Sequence, residues 1–403
     1  MRFEKPQGTP GALGELDYND QTWDKPWNQY RGQATSVERM PSYILEPASP
    51  PIPLAYGEYL PQEEVKLTDA LSGRPLDLET FLQRRIFSDG LLVAHRGKVI
   101  YENYFNGYAL SDQHLIHSCT KTLTTMQVGL AITDGLVDPS QPVWKYIDEL
   151  SGIPAWRQVT VQHLLDMATG VESDEHYDNP ESMYFTYADA VGYWGPGAGS
   201  PTGALDFVTT ELVKQDCEPG TKFNYASYNT NLLPLILERV YNQPSAALYE
   251  TNLFQKSGPE SLAFLNADPQ GVPIVEGHLN LTLRDFYRWG SIVHNGGKNL
   301  TGATVIPADL VEDWSKDSPE RRAAFARSDY AGLFPGGQYH NQLWVPDSHK
   351  GITAMLGIYG QFCYSDRSRD LLIVGLSSYP DMAPTLMTAH MRELWRAISE
   401  AVD

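Results

Sequence analysis

The sequence predicts an α/β protein in which an antiparallel sheet, flanked by helices, is built from both ends of the chain around a mostly helical inserted region. Three observations lead there: a hairpin pattern early in the chain, apolar strand-like segments late in it, and helical spacing between them, broken by turns rich in Asp, Pro and Gly. Residues 1–60 show no lasting periodicity and are expected to form an irregular extension, packed on the body through Trp23, Trp27, Tyr43 and Tyr56. The hairpin is LLVAHRGKVIYENYF, whose apolar runs flank the turn His95-Arg96-Gly97-Lys98. From Ser118 the spacing becomes helical and closes at Gly135, so a helix should start at or just after Ser118. Further short helical segments follow in VTVQHLLDMATG, DFVTTELVKQ and TNLLPLILERVYN. Strand character returns in GITAMLGIYGQFCYSD and DLLIVGLSSYP, separated by a turn near Arg367, and a helical tail ends the chain. The expected division is 61–115 with 286–403 as the sheet region and 116–285 as the mostly helical region.

With 403 residues, 42% of them hydrophobic, the chain can bury a substantial core, which excludes disorder and small disulfide scaffolds. A formal charge of −20 argues against nucleic acid and anionic membrane as partners. Cys119, Cys217 and Cys363 are odd in number and too scattered for a metal cluster, so a reducing compartment is the simpler expectation. The N-terminal stretch MRFEKPQGTPGALGELDYND has no apolar signal region, and no later stretch suits a membrane span. A cytoplasmic protein without metal or cofactor is expected, its oligomeric state open.

Ser118-Cys119-Thr120-Lys121 is the one Ser-x-x-Lys in the chain and lies at the expected helix start. At i,i+3 the two side chains share a face, where an unprotonated amine takes the hydroxyl proton. Free N–H groups at the helix start would stabilise an oxyanion, and the apolar flanks lower a lysine pKa by desolvation. Such a tetrapeptide turns up by chance about once in a chain of this length, so alone it is weak. Tyr225, just ahead of a helix in FNYASYNTNLLPLILERV, is the candidate proton shuttle. His114 and His117 at i,i+3 have no third ligand in view, and no Gly-x-Ser-x-Gly, Walker, dinucleotide or His-Glu-x-x-His motif occurs.

These motifs resemble the penicillin-recognising serine hydrolases: β-lactamases, D,D-peptidases, related esterases and the 6-aminohexanoate-dimer hydrolases. The likeness is carried by SCTK followed by GLAITDGLVDPSQPV, by VTVQHLLDMATG and by PGTKFNYASYNTNLLPLILERV. It is nearer to the 6-aminohexanoate-dimer hydrolase branch through DKPWNQYRGQATSVERMPSY, HLNLTLRDFYRWGSIVHNGG and GIYGQFCYSDRSRDLLIVGLSSYPD. The resemblance implies a β-lactamase/transpeptidase-like fold with the site between sheet and helical region. It also implies Ser118 as nucleophile, Lys121 as general base and Tyr225 as proton relay and general acid. The oxyanion hole is expected from the Ser118 amide with that of Gln361 or Phe362, and Tyr177 is expected at the scissile amide. A gap-free reading puts Glu276 where the branch has an active-site asparagine, and Ala188, with Asp189 adjacent, where efficient variants use an aspartate. Tyr359-Gly360-Gln361 replaces the usual Lys-Thr-Gly, so no cation grips a substrate carboxylate there, and Tyr359 is expected to line the cleft. Likewise, Tyr225-Ala226-Ser227 lacks the asparagine of Tyr-x-Asn. The expected function is hydrolysis of a small-molecule ester or linear amide through an acyl-enzyme. The alternatives are a β-lactamase or D,D-peptidase, and a catalytically silent binding or sensor module of the same fold.

Overall fold

The computed structural model describes residues 22–194 and 202–402; residues 1–21 of the expected extension lie outside the described residues. Among the described residues, seven strands form one antiparallel sheet in the order Lys98–Tyr104, Ser88–His95, Leu371–Ser377, Gln361–Asp366, Ile352–Gly357, Leu343–Asp347, Gln338–His340. Both chain ends therefore contribute. The early turn is a two-residue hairpin: Arg96 and Gly97 are both left-handed, with φ of 51° and 71°, which matches the twist of the strands they join.

The central strands are buried on both faces, which explains why they read as continuous apolar runs. Leu92, Ala94, Leu372, Val374 and Leu376 share a core with Phe286, Trp289 and Ile292 of helix Leu283–His294. Their sequence neighbours Leu91, Val93, Leu371 and Ile373 face the other way, into a core with Leu394, Trp395 and Ile398 of helix Thr385–Ala401. The period-two alternation of a strand is thus spent on two separate helices.

Two expectations are corrected, and a second sheet is added to the one expected. The late segment GITAMLGIYGQFCYSD is two paired strands, Ile352–Gly357 and Gln361–Asp366, joined by a tight turn at Ile358–Gly360 in which Tyr359 and Gly360 have φ of 61° and 93°. The N-terminal extension is partly regular, with helix Gln29–Ala34 and strand Ser42–Leu45. That strand opens a second sheet, ordered Ser42–Leu45, Ala263–Asn266, Leu279–Leu281, His114–Leu115, two strands of which lie in the region expected to be mostly helical. Strands of two to four residues carry no readable alternation, and their partners are far away in sequence. This small sheet positions the site, because it holds residues 114–116 against the strand that follows residue 276, through Ile116 N–H to Leu279 O at 3.0 Å.

Candidate active site

Ser118 lies in a 3₁₀ turn, His117–Thr120, that runs directly into helix Lys121–Thr133. The expected helix start is therefore one turn tighter than an α-helix, and it directs Ser118 to a cleft while Cys119 enters the core. Thr120 Oγ1 accepts the Leu279 N–H at 3.1 Å, pinning the turn to the small sheet.

The Lys121 Nζ is buried among three oxygens: Ser118 Oγ at 2.9 Å, Ser227 Oγ at 3.1 Å and the Glu276 carbonyl at 2.5 Å. Ser227 in turn donates its hydroxyl to Glu175 Oε1 at 2.7 Å, and its N–H meets Glu175 Oε2 at 2.5 Å. With its proton committed to Glu175, Ser227 Oγ can only accept from the amine. A neutral amine has two hydrogens and one lone pair. In that form, with the hydrogens on the two acceptors Ser227 Oγ and the Glu276 carbonyl, the lone pair would face the Ser118 hydroxyl. Burial pushes the Lys121 amine below the usual ammonium range, against the opposing pull of the Glu276 and Glu175 carboxyls. Burial also pushes Glu276 up to about 8, although the neighbouring Lys121 favours its ionised form. The Glu276 Oε2 is 3.8 Å from Nζ, and the Glu276 N–H is held by Asn231 Oδ1 at 3.1 Å, with Asn231 itself bonded to Tyr187.

Tyr225 completes the group. Its hydroxyl is hydrogen-bonded to Ser118, and its ring stacks on Trp344 at 5.5 Å and 20°. Burial holds its pKa well above the ordinary phenol value, so at neutral pH it is a proton donor rather than a phenolate. Tyr177 lies across the serine and donates to Glu175 Oε1 at 2.6 Å.

The structure brings Ser118, Lys121, Tyr225, Tyr177 and Glu276 together, and it places other expected residues elsewhere. Gln361 is buried with its amide bridging Ile358 O and Ser377 O, and Phe362 packs on Trp395. Neither lines the cleft, because the turn at 358–360 carries them past it; Gly357 and Ile358 are the residues beside Ser118. Tyr359 turns inward onto His117, with ring centroids 5.1 Å apart, rather than into the cleft. Helix Met183–Ala190 reaches the small cavity beside Glu276 through Tyr184. Ala188, a turn further on, is buried in the core, and Asp189 is rotated about 100° from it to a half-buried position lining no part of the cleft. His114 bonds Asp89 and His117 bonds Gln33, so the two histidines diverge. Among the described residues no three His, Cys, Asp or Glu side chains are grouped to hold a metal, and no helix is long and apolar enough to cross a membrane.

Sequence reasoning did not single out Glu175 or Ile358, which line the cavities beside Ser118, and noted Ser227 only as a departure from Tyr-x-Asn. Ser227 was detectable as the third residue of Tyr225-Ala226-Ser227, whereas Glu175 sits in a loop without a pattern. The cleft itself, about 440 Å3, runs from Ser118 between the 329–333 loop and helix Thr385–Ala401. Its walls are mainly apolar, through Trp344, Leu333, Leu356, Met387 and Met391, with Asp329 and Arg392 as charged members of the lining.

An antiparallel sheet covered by helices on both faces, a helical insertion, and a serine at the head of a buried helix between them define the β-lactamase and D,D-peptidase class of folds. The chain belongs to the β-lactamase family, whose model matches residues 66–394, and it is a hydrolase. It is 31% identical over 378 residues to a 6-aminohexanoate-dimer hydrolase of Paenarthrobacter ureafaciens, covering 94% of this chain and 92% of that one. A Bacillus anthracis protein assigned as a 6-aminohexanoate-dimer hydrolase superposes with a TM-score of 0.84 at 22% identity, covering 96% of this chain and 97% of the other. EstCE1, a hydrolase with promiscuous acyltransferase activity, shares the fold with a TM-score of 0.62 at 14% identity over 80% of this chain and 96% of its own.

Proposed function

We propose that this protein hydrolyses small carboxylic esters, and linear amides more slowly, by way of a Ser118 acyl-enzyme. Lys121 takes the Ser118 proton as the hydroxyl oxygen attacks the carbonyl carbon. The oxyanion that forms is received by the N–H groups of Ser118 and Ile358, since Ile358 is the residue of the opposite strand end that flanks the serine. Tyr225 passes the proton to the departing alcohol or amine, and water then cleaves the ester link to Ser118 by the same path in reverse. Lys121 Nζ at 2.9 Å from Ser118 Oγ, with its two other partners both acceptors, carries the reading.

The apolar walls favour an uncharged aliphatic acyl group, and esters come first because an alkoxide leaves with less proton assistance than an amine. A second reading is favoured by Asp329 and Arg392: one acid and one base in the lining suit a linear oligoamide with an ammonium at one end and a carboxylate at the other, as in the substrate named for the Paenarthrobacter relative. Turnover of short p-nitrophenyl esters beside the 6-aminohexanoate dimer separates the two readings. Ser118→Ala should abolish both activities and fluorophosphonate labelling while leaving the fold intact; turnover by that variant at the wild-type rate would sink the assignment.

A further inference from the structure

The residue just before the nucleophile, His117, and the residue just after the proposed second oxyanion donor, Tyr359, are both non-glycine residues in the left-handed region, with φ of 46° and 61°. L-residues hold this conformation only when their surroundings impose it. Their side chains meet one another and also meet one short helix of the N-terminal segment, Gln29–Ala34. His117 Nε2 lies 2.7 Å from Gln33 Oε1, Gln33 Nε2 donates to Gln29 Oε1 at 2.7 Å, and Gln29 Nε2 donates to the Asp24 carbonyl. Tyr359 bonds to Gln29 as well. With the Gln33 N–H committed to Gln29, its oxygen must accept, so His117 presents an Nε2–H. Burial depresses the His117 pKa well below its ordinary value, keeping the ring neutral and the direction of the chain constant. Gln29 and Gln33 are both buried, and neither touches the cleft.

We propose that Gln33 and Gln29 are positioning residues for the oxyanion hole, acting through His117 and Tyr359 to aim the Ser118 and Ile358 amides at one point. This rests on the acyl-enzyme reading above. The backbone torsions of His117 set the direction of the 117–118 peptide, which carries the Ser118 N–H. A chain of hydrogen bonds in which each member has one possible polarity is well suited to hold such a torsion. The N-terminal segment is thereby part of the catalytic apparatus.

The test compares Gln33→Leu with Gln338→Leu, a buried glutamine that bonds Lys316 O and the Ser318 N–H. Gln33→Leu should lower kcat on p-nitrophenyl esters about 10- to 100-fold with KM little changed, the cost of a displaced catalytic group. It should also speed amide hydrogen exchange at residues 116–120 and 357–360 at least about tenfold while leaving helix Leu283–His294 protected. Gln338→Leu should lose stability but keep kcat. Wild-type kcat in Gln33→Leu, unchanged exchange in both segments, or equal kcat losses in the two variants would overturn the proposal. A wild-type protein that turns over neither ester nor amide defeats the acyl-enzyme reading instead, and the exchange result alone then decides whether the glutamines hold the two turns.

Discussion

Gly357 is where the oxyanion proposal is most exposed to refutation. Its backbone is ordinary extended chain, φ −126° and ψ 148°, so alanine there brings no torsional penalty, only bulk. A Cβ would stand 2.7 Å from the Ile116 carbonyl oxygen, 2.9 Å from Gln361 Cβ and 3.0 Å from His117 Cβ. Restoring ordinary contact at 3.4 Å with Ile116 requires the strand end and the turn before Ser118 to part by about 0.7 Å. Ile358 moves with its neighbour, so its N–H leaves the point at which the Ser118 N–H aims. Displacements of this size cost about 30- to 100-fold in rate, or 2–3 kcal/mol of transition-state stabilisation. Gly357→Ala should therefore lower kcat on p-nitrophenyl butyrate by that factor with KM within about twofold, and urea unfolding should register about 1–3 kcal/mol of lost stability from overpacking. Gly290→Ala is the control: its Cβ would fall 2.5 Å from Cys363 Sγ, on the face of the sheet away from the helix that walls the cleft. It should lose comparable stability and keep kcat. A Gly357→Ala enzyme with kcat within twofold of wild type would refute the placement of the second donor at Ile358.

Two further outcomes follow from the same site. Glu276→Gln removes a carboxyl that favours the Lys121 ammonium when ionised, so the amine pKa falls further, and where the acid limb of the kcat/KM–pH profile overlaps the ionisation of Glu276 near pH 8 it should move to lower pH. Any inflection near pH 8 from Glu276 itself should vanish, and an acid limb that moves to higher pH contradicts the account. Met391→Ala lengthens the apolar cleft, so kcat/KM for hexanoyl over butyryl esters should rise about fourfold per methylene newly accommodated, at roughly 0.8 kcal/mol each. An unchanged chain-length preference would show that the acyl group lies elsewhere.

What could be read from the chain depended on the range of the pattern. Ser118 and Lys121 were legible because one helical turn brings i and i+3 together, and the early hairpin because Arg96-Gly97 is a local turn signal between two apolar runs. The small sheet was not legible: its strands are short, and the register pairing Ser42 with Asn266 is a contact across more than half the chain. The reversal at 358–360 was not legible because 352–363 is largely apolar and reads as strand throughout; on the proposed reading it puts the second oxyanion donor at Ile358 instead of Gln361 or Phe362. The paired glycines Gly357 and Gly360 around Tyr359 were the missed sign of a reversal. Glu175 carries no periodicity, and its place beside Ser227 follows only from the tertiary contact.

Glu175 makes none of the contacts to Ser118 that Lys121 and Tyr225 make, yet its position decides which side of the amine is bare. Because it claims the Ser227 hydroxyl, that oxygen has nothing to offer the lysine but electron density, and the remaining lone pair has one direction left. On the proposed acyl-enzyme reading, the base at rest is already turned toward the nucleophile, and no rearrangement of protons stands between substrate arrival and attack. A carboxylate that appears in no step of the reaction would thus set where the reaction begins.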